Sequence, residues 1–116
     1  MRILFLGDVV GSAGCRAVRN VLPRLIDRDF IDLVVVNCEN VTRGAGVDPR
    51  SAMDLLEAGA HVLTSGNHIW RRREILDFLP TESRLLRPAN YPQETPGRGW
   101  TVAETADGTK VAVVNL

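Results

Sequence analysis

The sequence predicts an α/β fold in which parallel strands alternate with helices and a hairpin follows them. Three observations carry this. Short apolar runs at 2–6, 31–36 and 61–65 lack the apolar/polar alternation of a half-wet strand and suit strands buried on both faces. Segments of helical period separate them. Beyond residue 99 two short runs flank Ala106-Asp107-Gly108-Thr109, which has the composition of a hairpin turn.

Arg2 to Leu6 ends at Gly7-Asp8, as a buried first strand does before a tight turn. From about Ala13 to Arg28, Val18, Val21, Leu22, Leu25 and Ile26 fall on one stripe of a 3.6-residue period, predicting a helix. Pro23 lacks an N–H and crowds the preceding turn, so a kink or restart is expected there. Ile31 to Val36 is the second strand and leads into Asn37-Cys38-Glu39-Asn40. Asp48-Pro49 reads as an N-cap followed by proline at the first helical position, opening a helix that ends near Gly59. His61 to Ser65 is the third strand, with a short helix expected over 71–79 before Pro80. Leu85-Leu86-Arg87 suggests a fourth short strand before a proline-rich loop, and 100–105 and 110–115 form the hairpin.

A chain of 116 residues suits one domain with one core, so 1–116 is treated as a unit. Its 14 basic and 14 acidic residues cancel, and no global field favours nucleic acid or an anionic membrane. No apolar stretch approaches bilayer length and the start lacks a signal-peptide pattern, so a cytoplasmic location is expected. Cys15 and Cys38 are unclustered and make no disulfide framework or zinc knuckle.

The functional signal lies where the strands end. Ligands of open α/β sheets bind outside the carboxyl ends of the strands, and Asp8, Glu39, Asn40, Asn67 and His68 all fall at such ends. Two carboxylates, two carboxamides and an imidazole make a hard to borderline donor set, suited to Mn(II), Fe or Mg(II). Each residue also has a plain reading. Asp8 could be only a cap or turn residue, Glu39-Asn40 solvated loop, and Asn67 a residue that tolerates left-handed backbone. His61, at a strand entrance, reads as structural. The glycines at 7, 11 and 14 match no phosphate-loop spacing, and nothing places a base beside Cys38 to make it a nucleophile. The run Arg71-Arg72-Arg73 reads as a solvated helix face or a phosphate-steering patch.

The stretches Ile3 to Gly11, Asn37 to Asn40, Thr64 to Trp70 and Leu86 to Pro92 together resemble the YmdB-like bacterial metallophosphoesterases, relatives of the calcineurin-like phosphoesterases. The resemblance implies an α/β/β/α sandwich with a dinuclear metal centre of two divalent or trivalent ions, iron or manganese. The implied substrate is a small-molecule phosphodiester, notably a 2′,3′-cyclic nucleotide, RNA-derived ones included. On that resemblance Asp8 binds one metal, Glu39 bridges both, Asn67 binds the second and Asn40 shares the shell. A metal-generated hydroxide would attack phosphorus while His68 protonates the leaving oxygen. A homo-oligomer is expected too, because the run Val111 to Leu116 would leave an apolar edge for a partner to cover.

Two departures qualify the resemblance. Arg71 stands where family members usually carry Asp, and the only histidines are His61 and His68. A dinuclear site needs about seven or more protein ligands and waters, so the chain looks like the N-terminal half of such an enzyme, with low activity expected of it alone. The competing reading is a non-catalytic regulatory or interaction protein that keeps the fold with an incomplete metal site.

Overall fold

Strand β2 (Leu33–Asn37) lies at the centre of a parallel sheet in a computed structural model that describes residues 1–116, with β1 (Ile3–Leu6) on one side and β3 (Val62–Thr64) on the other. Its valines are buried on both faces, as its unalternating composition requires. The register pairs Leu6 with Val36 and Asn37 with Thr64, so the three strands end almost level. The connections that follow them therefore emerge along one edge.

One sheet face carries the helices. Helix α1 (Gly11–Asp29) and helix α2 (Pro49–Glu57) bury Val18, Leu22, Ala52 and Leu55 against Val34, Val36 and Leu63 in the main core. Each fully buried leucine or valine among them contributes about 1.5–3 kcal/mol. Helix α2 begins as expected, with the Asp48 carboxylate accepting from Ser51 N at 2.7 Å and Pro49 at the first position. Helix α1 runs unbroken through Pro23, so the chain does not restart there. Pro23 is exposed, so water can satisfy the carbonyl it leaves free.

The other face packs Leu33, Val35, Val62 and Leu86 under Ala103, Val111 and Val113 of an antiparallel hairpin, β4 (Trp100–Glu104) and β5 (Lys110–Val114). Helices, parallel sheet and hairpin thus form successive layers, as the sandwich expectation requires for this length of chain. Three expectations need correction. Strand β1 is half-buried on one face and open on the other, because the hairpin packs on β2 and β3: Ile3 and Phe5 are exposed. The segment at 85–87 is no full strand but makes single parallel bridges, Leu85 to Leu63 and Leu86 to Arg98. The helix expected over 71–79 shrinks to a 3₁₀ turn (Asn67–Arg71) and a short α3 (Ile75–Phe78). Between them Arg72 is extended, since its guanidinium is tied to the carbonyls of Ala45 and Thr42 at 3.1 and 3.0 Å. No helix is long and apolar enough to cross a membrane.

Candidate functional site

The carboxyl edge of the sheet gathers the predicted residues in a definite order. After β1, Asp8 has a left-handed backbone, φ 52°, and an exposed side chain. It caps nothing: the N-cap of α1 is Val10, with no side-chain hydrogen bond, and Asp8 makes none elsewhere. Asp is among the residues that enter this region most readily, so the turn accounts for the backbone, and the carboxylate is left unbonded. The loops after β1 and β2 are bound together by Val9 N to Asn37 O at 3.3 Å and Gly11 N to Asn40 O at 3.0 Å. That fixes the Asn37–Asn40 segment beside Asp8.

After β2, Glu39 and Asn40 are half-buried and not solvated loop. Glu39 Oε1 accepts from His68 N at 3.1 Å, and Asn40 Oδ1 lies 2.7 Å from His68 Nδ1. A carboxamide oxygen only accepts, so Nδ1 carries the hydrogen and Nε2 is the ring atom left for chemistry. Glu39 Oε1 is also 3.7 Å from Nδ1. The β3 side closes around this group through Gly66: a Cβ there would sit 2.5 Å from the Glu39 carboxylate carbon. Only glycine lets the chain leaving β3 pass so close to that carboxylate.

Asn67 opens the 3₁₀ turn with ordinary backbone geometry, so tolerance of left-handed backbone does not explain it. Its side chain is exposed and unbonded, like that of Asp8. The structure therefore brings Glu39, Asn40 and His68 into contact and sets Asp8 and Asn67 at the neighbouring strand ends, free to bind. No group of three His, Cys, Asp or Glu side chains converges. The donor set is two carboxylates plus carboxamide oxygens, which fits a hard cation.

Other residues resolve differently. Cys38 is buried, its thiol facing Thr64 O at 3.3 Å, and burial pushes its pKa up to about 12, which removes it as a nucleophile. His61 lies at the opposite end of β3, where its Nδ1 accepts from Val34 N at 3.0 Å. Sequence reasoning missed Arg72, which fastens the 3₁₀ turn to the 42–46 loop, and Asn115, whose Nδ2 donates to Ser65 O at 2.8 Å beside the site. The arginine triplet signals neither role, because one residue of the three turns inward while Arg71 and Arg73 stay exposed. The stretch 64–70 and the loop after Leu86 meet in space through Ser65 Oγ to Leu86 O at 2.6 Å and an edge-on Trp70–Tyr91 pair with centroids 4.7 Å apart.

A parallel sheet that delivers carboxylate, carboxamide and imidazole to one edge, with a hairpin layered on its far face, defines a layered α/β protein with its candidate site at the carboxyl ends of the strands. The chain belongs to the family of YmdB-like proteins, whose model matches residues 4–116. It is 42% identical over 116 residues to a 2′,3′-cyclic-nucleotide 2′-phosphodiesterase of Bacillus subtilis (strain 168), aligning all of this chain with 44% of that protein. Among solved structures, a hypothetical protein of Thermus thermophilus superposes with a TM-score of 0.90 at 44% identity, covering 98% of this chain and 44% of that one. A phosphatase of Mycoplasma pneumoniae gives 0.87 at 36% identity, covering 98% and 42%. The chain thus spans less than half the length of the relatives it matches.

Proposed function

We propose that this chain supplies one side of the active site of a metal-dependent phosphodiesterase acting on 2′,3′-cyclic nucleotides or related phosphodiesters. The observation that carries the proposal is the Glu39–Asn40–His68 group, joined at 3.1 and 2.7 Å over Gly66 and flanked by the unbonded Asp8 and Asn67. Asp8, Glu39 and Asn67 would hold the two metal ions, iron or manganese, with Asn40 using the second lone pair of its oxygen. When bound, such ions polarise phosphoryl oxygens and lower the pKa of water. The chain's own contribution is positional. Asn40 fixes the plane of His68 and keeps its Nδ1 protonated; in the imidazolium form Nε2 carries the second ring proton, delivers it to the departing ribose oxygen and leaves the neutral Nδ1–H ring.

The named substrate of the Bacillus subtilis relative supports this reading. Four donor side chains are too few for two ions of five or six ligands each, so the chain alone binds manganese weakly and turns over bis(p-nitrophenyl) phosphate poorly. Titration calorimetry and turnover on the 116-residue chain test this, and tight two-ion binding with full activity would sink the half-site reading. The non-catalytic alternative predicts that the complete natural protein, loaded with manganese or iron, also fails to cleave 2′,3′-cyclic AMP.

A further inference from the structure

Arg87 is the one charged side chain in the interior, 6% exposed, and it forms no ion pair. A guanidinium offers five N–H donors. Here Nη1 donates to Pro88 O at 2.8 Å, while Nε is shut away from solvent with no acceptor. The residue is held in place by its own N–H to Arg98 O at 2.9 Å, with Gly97 packed beside its stem and Leu79. A buried charge with no counter-ion is strongly destabilising. An anion in the hollow that Arg87 lines could offset that cost through the part of the guanidinium that borders it, Nε itself being sealed from solvent.

There is room for one. Arg87 lines a hollow of about 290 Å³ shared with Gln93, Arg98 and Trp100, and no acid lines it. Arg98 is exposed and its side chain makes neither a hydrogen bond nor an ion pair. Two uncompensated guanidinium groups therefore border one cavity. A carboxylate would neutralise only one of them, whereas a phosphate monoester carries about 1.5–2 negative charges at neutral pH and offers three acceptor oxygens.

We infer that this hollow is a phosphate-monoester site, with Arg87 as its buried anchor and Arg98 as a second cation at the rim. It stands apart from the metal-ligand candidates, none of which lines it. The proposal therefore does not depend on the phosphodiesterase reading.

The test is thermal unfolding of the chain without added metal, in inorganic phosphate against chloride and acetate at matched ionic strength. Phosphate raises the melting temperature by mass action, and Arg87→Met abolishes the rise while leaving the phosphate-free chain at least as stable. Arg98→Met weakens apparent phosphate affinity about tenfold. No phosphate effect, an equal effect of acetate, or an undiminished effect in Arg87→Met would each overturn the site. If Arg87→Met does not fold, the surface variant Arg98→Met decides, and unchanged phosphate affinity in it overturns the proposal.

Discussion

Strand β3 carries a glycine and a histidine at each end, and the two pairs do opposite things. At the amino end, Gly59 takes φ 114° to bring the chain out of α2, and His61 exchanges two hydrogen bonds with Val34, N to O at 2.9 Å and Val34 N to Nδ1 at 3.0 Å. That pair prolongs the β2–β3 ladder. At the carboxyl end, Gly66 needs no unusual φ; it makes room for a carboxylate, and His68 binds side chains of another loop and keeps one ring nitrogen free. Identical residue types thus serve the fold at one end and, in the proposed function, the site at the other. What separates them is whether the histidine's partner is a backbone group of the ladder or a polar side chain at the open edge.

The sharpest way to break this comparison is to exchange the effects of the two histidines. In the complete, metal-loaded protein, His68→Ala lowers phosphodiester turnover about 10²–10⁴-fold, the span of a lost general acid, with metal content and melting temperature nearly unchanged. His61→Ala leaves turnover near that of the parent. Equal losses of metal and turnover in His68→Ala would make that residue a ligand. In Asn40→Ala the ring loses the Nδ1 partner that fixes its plane, and turnover falls although His68 itself is retained.

Gly66→Ala comes next. The atom an added methyl would meet is the far end of a flexible glutamate side chain, so the fold yields easily, but Glu39 must leave its position. A displacement of about 1 Å in a catalytic constellation costs on the order of 10²-fold in rate. Turnover and manganese affinity should fall together while the unfolding midpoint stays put. A large fall in stability would show that Gly66 serves the fold as Gly59 does.

Much of this was legible in the sequence because the relevant physics is local. The Val34–Val36 run, the Asp48-Pro49 start of α2 and the turn at 105–109 each declare themselves within a few residues, and three ends rich in ligand-type residues named Asp8, Glu39, Asn40, Asn67 and His68. What escaped depends on contacts between distant segments. The exposure of Phe5 follows from which strand lies at the sheet edge; the inward turn of Arg72 follows from carbonyls some thirty positions away. Arg87 is unreadable in sequence for the same reason. Nothing near it distinguishes a buried arginine from a solvated one.

Gly59→Ala probes the amino end directly. It would force a side chain into positive φ with its Cβ 2.7 Å from Ile26 Cδ1, at a cost of about 1–3 kcal/mol. Chemical denaturation should show that loss with an unchanged m-value, and turnover well below the new midpoint should match the parent. Lost activity with full stability would mean that the two ends of β3 are not separable.

The smallest effect should be visible in the pH dependence of stability. His61 accepts the Val34 N–H only as neutral imidazole, and burial holds its pKa below the ordinary 6.5. The unfolded chain therefore binds the proton more readily than the folded one, and stability rises with pH. The contribution is present above the unfolded pKa and is lost as the pH falls from there through the lower folded value. Removing the ring forfeits one part-buried hydrogen bond, about 1 kcal/mol. The parent chain and His61→Ala should thus differ by that amount at about pH 8 and converge at about pH 5. A gap that stays constant across that window would mean that the ring contributes packing alone, and that its hydrogen bond to β2 is not what holds the amino end of β3.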